Sequence, residues 1–250
     1  MPSLHSVIAL LLIGTVATTA PQAIADGTGP VVPFVGCPSD GQMGSLKPPS
    51  GSPVPVPAAR PEVAKQLAYY RGEQPPGVFA PAGWHCRTWY GSNGSFVIVT
   101  PSSPADTFPA KAVSGPGVEV VMRRGGTSGR FEVAEVSARF FPDLMHDFIQ
   151  SVKDEGLLEG TLVPKPYPHD TVARIAQRLF EFSTPANREG FGTEGFLRAD
   201  QPVKGLVALS EPLEEPTLSV LRVRLPPAQS ALGASIIELE KACLDRADGC

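Results

Sequence analysis

A short apolar run near the amino terminus constrains this chain more than any other feature. Residues 7–13 are all apolar, and Ala23-Ile24-Ala25 follows as a small-x-small cleavage site. The run is too short for a membrane helix, which needs about 20 apolar residues. Although the segment lacks the usual basic residues before the run, it predicts a secretory signal over residues 1–25. We therefore expect an exported protein, periplasmic or secreted.

The cysteine content fits export into an oxidising space. The cysteines that follow the signal are Cys37, Cys86, Cys243 and Cys250. An even number in an exported chain favours disulfides, and four cysteines allow three pairings. Pairing of Cys243 with Cys250 is favoured because it closes a short loop in which Gly249 supplies the bend. We expect no metal site, since no CxxC or paired histidine spacing is present.

A lipidated cysteine is the alternative to a cleaved, soluble form. Phe34-Val35-Gly36-Cys37 partly resembles the lipobox of bacterial lipoproteins, in which the cysteine becomes the lipidated terminus. Phe34 departs from the usual Leu, and the apolar run ends well before this segment. Because a cleavage site should directly follow the apolar run, cleavage after Ala25 is the favoured interpretation.

The charge balance argues against several partners. The chain has 21 basic and 25 acidic residues and no basic run, so neither nucleic acid nor an anionic membrane surface is an expected partner. No stretch after the signal is long and apolar enough for a transmembrane segment, and the length suits one large domain with a real core.

A proline-rich stretch precedes the main domain. Nine prolines lie between residues 30 and 61, which excludes a helix and favours extended backbone. Val31, Val32, Phe34 and Val35 are too apolar to be left in water. We therefore predict an extended arm over residues 26–61, laid along a single α+β domain over residues 62–250.

Periodicity within the domain predicts a sheet and about four helices. The predicted helices lie at residues 61–71, 142–155, 170–182 and 231–246. Strand patterns lie at residues 96–99, 118–122, 130–140, 204–209 and 218–225, with a glycine-rich hairpin loop at 125–129. Strands separated by turns indicate antiparallel pairing, with the helices grouped on one side. The fold class is therefore α+β, a mainly antiparallel sheet with about four helices packed on it, after the Pro-rich extended arm.

The densest cluster of large side chains is a candidate binding site. Trp84, His85, Trp89 and Tyr90 are predicted to form a stacking surface for a sugar, peptide or other ligand. Cys86 beside His85 also offers the thiol and imidazole of a nucleophile. Neighbouring residues in a strand point to opposite faces, however. A core strand with aromatic packing, anchored by a disulfide, is therefore favoured over both interpretations.

Other motifs favour structural roles. Residues 190–195 match GxGxxG but lack the preceding strand and following helix of a dinucleotide site, so they predict a turn. In the pair His146-Asp147, the histidine is predicted to be a solvated surface residue. In the pair His169-Asp170, the aspartate is predicted to be a helix cap. For three arginines that flank the glycine loop, a solvated hairpin end is favoured over an anion site: Arg123, Arg124 and Arg130. The sequon that begins at Asn93 favours a turn. No familiar catalytic motif is present.

Several segments together resemble a group of exported bacterial proteins with no assigned function. The residues that carry the resemblance are Val35-Gly36-Cys37-Pro38-Ser39-Asp40-Gly41-Gln42, Gly83-Trp84-His85-Cys86, Tyr90-Gly91-Ser92-Asn93-Gly94 and Val223-Arg224-Leu225-Pro226-Pro227. The resemblance implies a bacterial envelope location and supplies no catalytic residue. It also favours pairing of Cys37 with Cys86, because both lie in the matching segments.

These features support three hypotheses of function. The leading one is a non-enzymatic envelope protein without a cofactor, which binds a ligand or partner through an exposed aromatic patch around Trp84, Trp89 and Tyr90. The second is a hydrolase of unfamiliar type, which needs a reduced Cys86 and a histidine within hydrogen-bond reach. The third is a structural or assembly factor whose Pro-rich arm contacts a neighbouring molecule.

Overall fold

The computed structural model describes residues 29–56, 59–104, 112–156, 162 and 164–244. The expected signal at residues 1–25, and the expected Cys243–Cys250 pair because of its second member, lie outside these residues. Within the described residues, no helix combines the length and the apolar character that crossing a membrane requires.

The described chain forms thirteen strands and four α-helices. The strands are β1 (Val31–Val32), β2 (Phe34–Gly36), β3 (Ser39–Gly41), β4 (Val54–Pro55), β5 (Leu67–Arg71), β6 (Gly77–Pro81), β7 (His85–Gly91), β8 (Gly94–Thr100), β9 (Gly117–Arg124), β10 (Thr171–Ala176), β11 (Leu179–Thr184), β12 (Val203–Leu209) and β13 (Thr217–Arg224). The helices are α1 (Pro61–Ala64), α2 (Arg130–Phe140), α3 (His146–Asp154) and α4 (Ser230–Leu244).

A mixed eight-stranded sheet is the centre of the fold. Its strand order is β10-β11-β12-β13-β9-β8-β7-β3. The pairs from β10 to β7 are antiparallel, and β3 joins parallel to β7. The predicted α+β class is confirmed as a sheet-rich mixed fold. The prediction of a mainly antiparallel sheet did not include the parallel strand β3.

The first described strands attach the amino-terminal segment to the body. β2 pairs parallel with β5 in a three-stranded sheet, and β1 pairs with β4. A disulfide joins Cys37, which directly follows β2, to Cys86 on β7. This pairing, which the resemblance implied, is confirmed.

The large sheet is covered on both faces. Its α4 face packs against α4 and the three-stranded sheet, and it includes Val99, Val120 and Leu221. Its α2–α3 face packs against α2 and α3 at one end, where Val207 and Val220 are buried. The prediction that the helices group on one side is therefore wrong. Alternating strand residues make both faces apolar, and each face needs a cover.

The segment predicted as a strand at residues 130–140 is helix α2. Its buried residues are Val133, Ala134, Ser137 and Phe140, which is the spacing of one helical face. The partial two-residue alternation around Phe131 does not correspond to the face that is buried.

The helix predicted over residues 170–182 is a hairpin of β10 and β11. Pairing of β11 with β12 overrides the local helical pattern. Val172 and Ile175, expected in the core, are 49% and 47% exposed. Asp170 does not cap a helix, because its carboxylate accepts hydrogen bonds from Thr184 Oγ1 and the Phe191 amide, both at 2.8 Å.

The helix predicted over residues 61–71 ends at Ala64 and continues as strand β5. Tyr69 lies between Phe34 and Phe79 in the three-stranded sheet. Consecutive residues 67–70 are buried, which a surface helix with one apolar stripe cannot achieve. The remaining predicted strands correspond to β7, β8, β9, β12 and β13, and the other predicted helices to α3 and α4.

Candidate functional site

The predicted aromatic residues do not form one exposed surface. Trp89 is 2% exposed and stacks on Phe96, with ring centroids 4.9 Å apart. Trp84 packs against the core of the α4 face, whereas His85 is exposed and Tyr90 is half-buried. Because Trp89 and Tyr90 are neighbours in β7, they point to opposite faces of the sheet.

Cys86 has no free thiol for the nucleophilic chemistry that the hydrolase hypothesis requires. The Cys86 sulfur is bonded to Cys37, so it carries no thiol that could act as a nucleophile. The Cys/His form of the hydrolase hypothesis therefore loses its nucleophile.

A cavity of about 240 Å³ lies on the α2–α3 face. On one side is the apolar cluster beneath α2 and α3, and on the other is a cluster around Trp89 and Phe196. The apolar wall consists of Phe96, Ile98, Ala112, Val121, Val136, Gly195, Leu218 and Val220. The rest of the cavity lining is five charged residues: Glu119, Glu132, Glu194, Arg123 and Arg222.

A buried ion pair forms the floor of this cavity. Glu119 on β9 and Arg222 on β13 are cross-strand neighbours. Arg222 Nη1 donates to Glu119 Oε2 at 2.8 Å, and both residues are 5% exposed. The guanidinium also donates through Nε to the Phe191 carbonyl and lies 5.1 Å from the Phe191 ring centroid. These contacts compensate for removing two charges from water.

The glycine-rich turn at residues 190–195 supplies a second carboxylate. Glu194, on the 3₁₀ helix Phe191–Glu194, accepts a 2.8 Å hydrogen bond from Tyr167 and lies 3.4 Å from Arg222 Nη2. Burial raises the pKa of Glu194, while Arg222 and the Tyr167 hydrogen bond act in the opposite direction. A Cβ at Gly195 would lie 2.2 Å from Glu119 Oε2. Glycine therefore lets this turn approach the ion pair closely.

A second ion pair lies in the cavity wall. Arg123 at the end of β9 pairs with Glu132 on α2. The five charged residues thus comprise three carboxylates and two guanidiniums. Beside these groups, the side chains of Phe96, Val121 and Val136 supply apolar surface. The cavity can therefore accommodate a small molecule that has both a charged group and an apolar part.

The other sequence motifs do not extend this site. Arg123 and Arg130 engage different carboxylates, and Arg130 lies 2.6 Å from Glu155, so the arginine group is divided. His146 is exposed at the start of α3, as expected. Among the described residues, no group of three or more His, Cys, Asp or Glu side chains is arranged to hold a metal ion.

Sequence reasoning missed the buried charged residues of the cavity. Glu119 and Arg222 lie inside apolar strand patterns, and a charge at such a position was the available signal. Glu194 lies within the segment that was interpreted only as a turn. No protein-family model matches the chain, and neither a curated protein nor a solved structure shows significant similarity to it.

Proposed function

We propose that the protein is an exported, non-enzymatic binding protein that holds a small organic cation in the charged cavity. The observation that carries this proposal is the Glu119–Arg222 pair, which is buried in the middle of the sheet and opens onto the cavity. The Cys37–Cys86 disulfide supports an oxidising, extracytoplasmic location.

A buried ion pair is by itself weak evidence of a role in stability. Apolar residues of similar volume in place of a buried ion pair are often neutral or stabilising. The adjacent cross-strand pair on the same face of these two strands is Val121 with Val220. Two charges at such positions therefore favour a role in binding, since a cavity with a few convergent polar groups is the usual form of a ligand site.

The charge balance favours a cationic ligand. The cavity has one more carboxylate than guanidinium. Glu194 shares Arg222 with Glu119, and its contact of 3.4 Å is longer than the 2.8 Å contact of Glu119. A ligand ammonium could complete the neutralisation of Glu194 while its apolar part contacts Phe96 and Val121. The volume of about 240 Å³ equals that of about eight water molecules, so the ligand is a small molecule.

Isothermal titration calorimetry tests the proposal with n-butylammonium, 1-butanol and butyrate as matched probes. We expect n-butylammonium to bind, 1-butanol to bind more weakly and butyrate to be rejected. Glu194→Gln should weaken n-butylammonium binding, because it removes the carboxylate that the ammonium neutralises. Glu238→Gln is the control, because Glu238 lies on α4 and its side chain is 69% exposed.

The outcomes separate the site from its ligand class. Absence of binding by all three probes contradicts the proposed function. Equal binding of butyrate and n-butylammonium contradicts the cationic class but leaves a ligand cavity, provided that the double variant Glu119→Leu/Arg222→Met, which changes the cavity lining, alters both affinities.

A further inference from the structure

Two of the motifs identified in the sequence meet at the β3 edge of the sheet. Parallel pairing places Gly41 beside Tyr90, and the Gln42 amide donates to the Tyr90 carbonyl at 3.2 Å. A Cβ at Gly41 would lie 2.0 Å from that carbonyl oxygen. Glycine at this position is therefore required for the two segments to approach each other.

The junction forms an open groove of about 560 Å³, separate from the charged cavity. We call it the β3 groove. It is lined by Asp40, Gly41, Gln42, Tyr90, Gly91, Ser92, Asn93 and Ser128. Glu132 connects the two sites, because it accepts a 3.4 Å hydrogen bond from Asn93 Nδ2 and pairs with Arg123 in the cavity wall.

Several groups in the β3 groove are held in place by hydrogen bonds within the protein. The Tyr90 hydroxyl donates to the Gly44 carbonyl at 2.7 Å, which fixes the position of the ring. Asp40 accepts the Gly41 amide at 2.8 Å, and the Ser92 and Ser128 hydroxyls are 3.1 Å apart. Binding to such an arrangement orders few additional side chains, which reduces its entropic cost.

The chemistry of the lining selects a hydroxylated, uncharged ligand. The side chains supply one carboxylate, two amides, two hydroxyls and one tyrosine ring, with no lysine or arginine among the lining residues. Amides and hydroxyls both donate and accept hydrogen bonds, as sugar hydroxyls do. A tyrosine ring offers an apolar face beside wet polar groups, which matches the C–H face of a pyranose ring. We propose that the β3 groove binds a neutral carbohydrate.

The test uses the exported, disulfide-bonded protein and ¹H–¹⁵N correlation spectra. Cellotetraose, chitotetraose and maltotetraose are the probes, with glycerol as a hydroxylated control that has no ring. We expect at least one tetrasaccharide to shift the amides of Gly41, Gly91, Ser92 and Asn93. Glycerol should leave them unchanged.

Variants separate a carbohydrate site from a passive surface groove. Tyr90→Leu should weaken the saccharide by at least about fivefold, whereas Tyr90→Phe, which keeps the ring, should remain within about twofold. Gln42→Ala is a second variant, at an exposed position that does not endanger folding, and it should also weaken binding. Met43→Ala is the control, since Met43 is 88% exposed and does not line the groove.

Three results would overturn the inference. The first is that no tetrasaccharide changes the chemical shifts of the groove amides, and the second is that the shift changes lie only in other parts of the protein. The third is that both Tyr90→Leu and Gln42→Ala bind the saccharide with wild-type affinity. None of them bears on n-butylammonium binding, so the proposed function is tested separately.

Discussion

The two faces of the large sheet both bury a glutamate, but they neutralise it differently. On the α4 face, Glu240 is 4% exposed and accepts the Phe79 amide at 2.8 Å. No lysine or arginine of the described residues forms an ion pair with it, and burial raises its pKa to about 7. On the α2–α3 face, Glu119 pairs with Arg222. Protonation can neutralise the first carboxyl, and a guanidinium neutralises the second.

This difference assigns separate roles to the two faces. A lone buried carboxyl that accepts a backbone amide connects α4 to β6 and is tolerated at the expense of a raised pKa. A pair that opens onto a cavity presents charge to a ligand. The predictions below test whether ligand binding depends on the α2–α3 face and is independent of the α4 face.

The largest expected effect is that of Arg222→Met, which leaves Glu119 buried without its partner. Stability should fall by about 3–5 kcal/mol, because breaking a buried pair leaves an uncompensated charge. Urea unfolding measures the change. The double variant Glu119→Leu/Arg222→Met is the control and should recover most of this loss, because it removes Glu119 together with its partner. A loss below about 1 kcal/mol for the single variant would show that the site is wetter than its 5% exposure indicates.

Removing the Cys37–Cys86 disulfide should destabilise the α4 face without changing the cavity. The bond joins residues 49 positions apart, so Cys37→Ser/Cys86→Ser should cost about 3–4 kcal/mol through the entropy of the unfolded chain. Urea unfolding gives the loss, and calorimetry with n-butylammonium gives the affinity. The affinity should remain at the wild-type value below the unfolding transition. A parallel fall in affinity would contradict the separation of the two faces.

Glu240→Gln should stabilise the protein at high pH and not at low pH. The folded-state pKa of about 7 exceeds the ordinary value of 4.5, so ionisation in the folded state becomes a cost as pH rises from about 4.5 to 7. Above this window the wild type is destabilised by about 3 kcal/mol, which glutamine avoids while still accepting the Phe79 amide. Unfolding free energies at pH 4 and pH 8 measure the effect.

The exposed Glu238→Gln on the same helix serves as the control for Glu240→Gln and should change the pH dependence little. If the unfolding free energies of Glu240→Gln and the wild type differ by the same amount at every pH from 4 to 8, Glu240 does not titrate in this range.

The smallest expected effect concerns Glu194 in the cavity. Its pKa is raised by burial, so cation affinity should increase as pH rises above the ordinary glutamate range and the carboxyl ionises. Glu194→Gln should lower the affinity for n-butylammonium by about tenfold at pH 8 and remove the pH dependence of that affinity. Calorimetry from pH 4 to pH 8 measures both. The charged groups around Glu194 are Arg222, Arg139 and Glu135, with Tyr167 as its hydrogen-bond donor.

The control for Glu194→Gln is Glu135→Gln, which removes the same charge from exposed α2 surface. It should retain most of the affinity. An equal loss in both variants would mean that overall charge, and not contact within the cavity, determines binding.

Sequence reasoning succeeded where one local pattern has one structural solution. The apolar runs of β9, β12 and β13 are strands, and the amphipathic pattern near the carboxyl terminus is helix α4. It failed for α2 and for the β10–β11 hairpin. In those segments, apolar residues fit both periods approximately, and pairing with distant strands or packing onto the sheet decided between them.

The candidate sites depend even more on distant contacts. Glu119 and Arg222 are 103 residues apart, and Tyr90 and Gly44 are 46 apart. The binding hypothesis required an exposed Trp89, but the structure places it in the core, as the favoured interpretation of a core strand predicted. Tyr90, the next residue, lies in the β3 groove.

The sequence alone determined which segments are apolar enough to form strands, and the resemblance of its motifs indicated which two cysteines pair. The tertiary structure alone decided which charged side chains meet on the α2–α3 face and which motif residues form the β3 groove. Local pattern specifies how much of a segment is buried. Strand register specifies which distant residue lies opposite, and a shift of one residue would turn Glu119 or Arg222 to the other face of the sheet.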